Sequence, residues 1–186
     1  MDWRERIRNL WVERMVWIRH YIISLMMGLK DLSFVATRAL RNGTELARVL
    51  GRFYGVESAS HFENLLTQHI LLLSELASTV KMGGNVSALQ SRQSENASAL
   101  LELILQTNPH WDRSDWQDMI NEQLEIETNF LMMLNKDQYA EGIANFDLAH
   151  NNALRIAHTM IEEMEAQFGV ALPARANNHR GAETAG

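Results

Sequence analysis

The sequence predicts an all-α fold, a six-helix bundle built from three antiparallel helical hairpins. Three observations lead there. Apolar residues recur three or four positions apart over long stretches, the period of an amphipathic helix. The 186 residues include only two prolines and ten glycines, so few positions interrupt a helix. One residue pattern also returns twice at an offset of about 54.

That pattern is Leu65, Leu66, His69, Leu72, Leu73, Leu76, Val80. Later in the chain it reads Met119, Ile120, Gln123, Ile126, Glu127, Phe130, Leu134. Earlier it reads Leu10, Trp11, Arg14, Trp17, Ile18, Tyr21, Leu25. The intervening segments repeat as well. Val35, Leu46, Val49, Leu50 and Phe53 correspond to Leu89, Leu100, Leu103, Ile104 and Thr107, then to Ile143, Leu154, Ala157, His158 and Ile161. One hairpin buries too little apolar surface to stand alone, so three are expected to share a core.

The elements follow in order. The first helix is expected over Trp3 to Leu29, with Asp2 as N-cap and Gly28 near its end. The second covers Asp31 to Tyr54, with a break at Asn42-Gly43, a restart at Thr44 and an end at Gly55. The third runs from Ser58 to Met82 and stops at Gly83-Gly84. The fourth covers Val86 to Thr107 and stops at Asn108-Pro109. The fifth starts at Asp112 or Ser114 and ends near Asn135; the sixth runs from Gln138 to Phe168, closed by Gly169. One domain over 1–169 is therefore expected. From Leu172 the apolar period is lost, and 170–186 reads as a disordered tail.

The composition narrows the function classes. With 46% hydrophobic and 22% charged residues, the chain is globular in character. A net charge of −6 argues against general nucleic-acid binding, although Arg4, Arg6 and Arg8 crowd the first turns. No cysteine is present, so disulfides, thiolate metal sites and thiol catalysis are excluded, and a cytoplasmic location is compatible. Asp2 and Glu5 among the first arginines speak against a secretory leader. The longest charge-free apolar run, Tyr21 to Leu29, is far short of the ~20 residues of a membrane span. Its residues Ile22, Ile23, Leu25, Met26 and Met27 suit a helix buried on several sides. A homodimer face and a peripheral membrane contact of the first helix are the other readings.

Each repeat sets a polar residue into an apolar face: Arg14, His69 and Gln123. Asn96 and Asn42 fall at matching places in the second and fourth helices. In the sixth, the expected stripe Ile143, Phe146, His150, Leu154, Ala157, Ile161, Met164 brings in His150, with Asp147 three residues before it. Burying these groups is costly unless they meet partners.

Two readings compete for this layer. In one it is a metal site of iron, manganese or zinc, with ligands from Glu13, His69, Glu122, Asp147 and His150; an acid and a histidine three apart on facing helices are typical of bundle metal centres. Arg14 opposes that reading, since a guanidinium stays protonated and is no ligand. In the other, Arg14, Asn96 and Gln123 join the histidines and Asp147 in a buried hydrogen-bond network without cofactor, Arg14 pairing with Asp147. Such a network fixes helix register more than it adds stability.

The segments Leu10-Trp11-Val12-Glu13, Arg38-Ala39-Leu40-Arg41-Asn42, Phe53-Tyr54-Gly55, Asn108-Pro109-His110-Trp111 and Phe146-Asp147 resemble a largely uncharacterised group of small helical proteins from bacilli and clostridia. Some of its members carry the label acetylglutamate kinase. The resemblance covers residues 3 to 165 and implies an acid followed by histidine at three equivalent places. Here those places read Glu13-Arg14, Gln68-His69 and Glu122-Gln123. If relatives hold a metal there, this chain has a degenerate centre. The kinase label finds no support: no glycine-rich phosphate loop follows a strand, and strands do not alternate with helices.

Among the aromatics, Trp11, Trp17 and Trp116 fit core positions, while Trp3 and Trp111 are candidates for a partner surface. No serine, histidine and acid form an oriented set. The expectation is a non-enzymatic scaffold or binding module with a buried polar layer. The alternative is a ferritin-like or hemerythrin-like divalent-metal protein.

Overall fold

The computed structural model describes residues 2–169; the expected tail at 170–186 lies outside the described residues. Among the described residues the chain is all-helical and contains no strand. Its elements are α1 (Trp3–Met27), α2 (Leu32–Lys81), α3 (Ser87–Thr107), α4 (Arg113–Asn135) and α5 (Tyr139–Phe168).

The helix ends stand where helix-breaking residues occur. Gly28 closes α1 in the left-handed region at φ 64°, donating its N–H to Ser24 O. Asn108, held extended ahead of Pro109, ends α3. The Asp112 side chain accepts from the N–H groups of Ser114 and Asp115 and so caps α4. Asp2 occupies the N-cap position of α1 but makes no capping bond; its carboxylate faces Arg4 instead.

α2 is one element interrupted at Gly55, which adopts φ 84°, ψ 169°. That region is open essentially only to glycine. Its two halves fold back alongside each other. Thr44 Oγ1 donates to Glu63 Oε1 at 2.7 Å. Gly51 packs so closely on the opposite half that an added Cβ would stand 3.1 Å from Ala59 Cβ. The break expected at Asn42-Gly43 does not occur. Gly43 continues the helix and packs its backbone against Leu66, while Asn42 is fully buried and bonded.

The apolar side chains form two core clusters. One gathers Ile7, Leu10, Trp11, Leu46, Leu66, Met119, Ile156 and Met160. The other gathers Met15, Ile18, Ala39, Ile70, Leu73, Ile126, Phe130 and Ala153. In α1, α2 and α4 the change from one to the other falls at a polar residue: Arg14 in α1, Asn42 and His69 in α2 and Gln123 in α4; in α5 it falls between Ala153 and Ile156, just past Asn152. α1 packs along α2, α4 and α5, whereas α3 packs along α2 and α4 and meets α5 at its end, where Gln167 Nε2 donates to Thr107 O at 3.2 Å.

Three expectations about burial are corrected. The first half of the stripe assigned to α5 is turned by one position: Ile143 is 64% exposed and Leu154 36%, while Gly142, Asn145, Ala149, Asn152 and Ala153 face inward; in the second half Ala157, Ile161 and Met164 are buried as expected. Small residues permit the close approach of α5 to α4, since a Cβ at Gly142 would lie 3.1 Å from the Phe130 ring. Trp111 is buried against Tyr54 and Trp116, at ring distances of 5.6 and 5.2 Å, and offers no partner surface. Trp17 is only half-buried, with Arg38 over its ring at 4.9 Å. Of the apolar run near the end of α1, Ile22 and Met26 are buried within the chain and Met27 is exposed. Among the described residues no helix is long and apolar enough to cross a membrane.

Candidate functional site

The seam between the two core clusters holds the site. α1 supplies Arg14, the second half of α2 supplies His69, and α4 supplies Gln123 and Glu127. Each sits on the inward face of an amphipathic helix, where burial of its apolar neighbours carries it out of water. Arg14 is 4% exposed, His69 8% and Glu127 3%. His69 Nε2 lies 2.8 Å from Glu127 Oε2. Gln123 Nε2 donates to Glu127 Oε1 at 2.5 Å.

The electrostatics reflect that packing. Burial pushes the Glu127 carboxyl up, but the His69 charge, the bonds from His69 and Gln123, and the Arg14 charge together hold it below the usual carboxylate range. It is thus an anion at neutral pH. Burial pushes the Arg14 guanidinium down to about 10, with Glu127 opposing the shift, so Arg14 stays cationic at neutral pH.

Three asparagines tie helices together around this seam. Asn42 Nδ2 donates to Leu10 O at 3.0 Å. Asn96 Nδ2 donates to Leu65 O at 3.2 Å and also to Gln68 Oε1. Asn152 Nδ2 donates to Met119 O at 3.0 Å and to Gln123 Oε1. The accepting carbonyls belong to Leu10, Leu65 and Met119, the residues that begin the repeated sequence pattern.

The expected site residues fall into two groups. Arg14, His69, Asn96 and Gln123 gather at the seam, and Asn42 joins them. Asp147 does not: it is exposed, so the expected pair with Arg14 is not formed, and Glu127 is the acid that faces Arg14. Glu13 pairs instead with Arg38 at 2.8 Å, and Glu122 pairs with Arg155 on the surface. His150 is half-buried, and its expected place on the inward face is taken by Asn152. Glu13, His69, Glu122, Asp147 and His150 therefore do not converge. Among the described residues, no three histidine or acidic side chains are grouped to hold a metal ion.

Two members of the site were not assigned from the sequence. In the sequence pattern Glu127 falls on the apolar stripe of its helix, with no role assigned to it. A carboxylate among Ile126, Phe130 and Leu134 needs a buried cation, and Arg14 and His69 stand at the equivalent level; that was the available signal. Asn152 carried none, because it lies between polar and apolar neighbours alike.

A cavity of ≈ 50 Å³ opens beside the cluster. Arg14, His69 and Gln123 form its polar side, and Trp11, Leu66, Leu100, Ile104, Trp116 and Ile120 are among its apolar walls. A groove of ≈ 150 Å³ between α3 and α4 shares Ala97 and Ile120 with it. No hydroxyl, thiol or amine nucleophile is among the lining residues. Comparison with family models, with curated proteins and with solved structures finds no match to this chain.

Proposed function

We propose that the protein is a non-enzymatic binding module, a helical scaffold whose buried polar layer holds open a small ligand cavity. The observation that carries this reading is the cavity beside Arg14. A buried cation and a histidine line it together with apolar walls, the composition of a small-molecule site.

The proposal includes the architecture. Three hairpins, of residues 3–54, 56–107 and 113–168, would each be clasped by one asparagine. The support is the recurrence of one bond, from Asn42, Asn96 and Asn152, to carbonyls 31 to 33 residues earlier. A cytoplasmic location, and kinship with the bacillar and clostridial group that the sequence resembles, belong to the same reading.

The test uses the tryptophan indole N–H signals in NMR spectra of the full chain. Trp11 and Trp116 line the cavity and Trp3 and Trp17 do not. Screening neutral and charged molecules of a few non-hydrogen atoms is expected to yield ligands that shift Trp11 and Trp116 and spare Trp3 and Trp17. A screen that moves neither cavity tryptophan would reject the binding reading.

A further inference from the structure

We infer that the cavity takes a short-chain aliphatic monocarboxylate, its carboxylate on the Arg14 guanidinium and its alkyl part against the apolar walls. This rests on the binding-module reading above and names the ligand class for it.

Arg14 is the first reason. Its side chain is buried, it lines the cavity, and Glu127 acts on its guanidinium through charge without a hydrogen bond between them. A guanidinium offers five N–H donors in a fixed fork, matched to the two oxygens of a carboxylate. Its nearby counter-charge does not use them. Glu127 turns one oxygen to Gln123 and the other to His69.

The second reason is a further donor without an acceptor. Trp116 lines the same cavity, and its Nε1 is buried with no hydrogen-bond partner. Glu127 Oε2 also lacks a hydrogen bond but lies off the cavity lining, facing His69 Nε2 at 2.8 Å; of the cavity-lining residues the unmet atom is a donor, which calls for an acceptor.

Charge and size select among acceptors. Among the described residues, Arg14 is the one permanent cation that lines the cavity, and its single guanidinium pairs with one negative charge. One negative charge is balanced; the two of a phosphate are not. The ≈ 50 Å³ of space admits roughly four waters, so a ligand of only a few carbons fits. Trp11, Leu66, Leu100, Ile104 and Ile120 give its alkyl chain an apolar surround.

The experiment titrates the full chain with sodium butyrate and, separately, with its neutral isostere butyramide, following the Trp11 and Trp116 indole signals. Butyrate is expected to shift both and to bind about tenfold or more tighter than butyramide, as a charge-assisted pair exceeds a neutral one. Arg14→Met is expected to remove that preference, and Arg14→Lys to retain part of it. Leu100→Trp, which fills the cavity from its half-buried wall and keeps every charge, is expected to abolish binding. Should Arg14→Met fail to fold, Leu100→Trp decides: undiminished butyrate binding there would place the ligand elsewhere and overturn the inference. Butyramide binding as well as butyrate would overturn the carboxylate assignment and leave the cavity reading standing. Shifts from neither would remove both.

Discussion

His69 and Glu127, on α2 and α4, meet at 2.8 Å in the seam between two apolar clusters, with the Arg14 charge close by. Three ionisable groups from three helices thus share one buried layer. Their mutual attraction offsets desolvation only while all are present.

Removing the anion is therefore expected to cost more than removing the whole group. Glu127→Ala leaves Arg14 and His69 buried without a counter-charge and should destabilise the fold by roughly 3–5 kcal/mol. The triple variant Arg14→Met, His69→Leu, Glu127→Leu should recover most of that loss. Urea unfolding of the single and triple variants checks the order; a triple variant less stable than Glu127→Ala would contradict it.

Stability should fall on acidification through this same carboxyl. The folded-state value of Glu127 lies below its reference of 4.5. Its contribution is thus fully present above pH 4.5 and is lost as pH falls through the lower folded value. Glu127→Gln should flatten the stability profile below pH 4.5, measured by urea midpoints across the acid range.

Each clasping asparagine should contribute on the scale of one buried hydrogen bond. Asn42→Ala, Asn96→Ala and Asn152→Ala are each expected to lose about 0.5–1.5 kcal/mol. Asn42 is the most deeply buried of the three, and its substitution should cost the most. Thermal unfolding midpoints of the three variants give the ranking.

Gly55→Ala tests the fold-back within α2. No heavy atom lies within 4 Å of an added Cβ there, so the change acts through backbone strain alone. Strain of this kind costs about 1–3 kcal/mol. Relief comes if α2 straightens into one continuous helix, which separates its halves and lets two copies exchange them. Light scattering should show a dimer growing with concentration in Gly55→Ala and less of it in the parent chain.

The helix boundaries were legible because local chemistry sets them: Gly28, Gly55, Asn108-Pro109, Asp112 and Gly169 act where they stand. The level of the polar layer was legible on α1, α2 and α4, where one hydrophilic residue interrupts a strongly apolar stripe. On α5 that contrast fails. Ala149 and Ala153 face the core because two helices come close there, whereas Ile143 and Leu154 look outward. Hydropathy ranks these residues in the opposite order, so a constant offset carried His150 into the place of Asn152. The partner of Arg14 was misread for the same reason: Asp147 belongs to the misassigned face. Pairing between distant helices depends on their relative rotation, which no single-helix period specifies.

Gly55 joins two helical arms with no spare residue on either side. Inserting or deleting a single amino acid at this hinge would swing everything beyond it by about 100° around its axis. His69 would then leave the interior together with Leu66, Leu73 and Leu76. One joint therefore sets the phase for the following arm, and length variation is tolerable only in the connections further along.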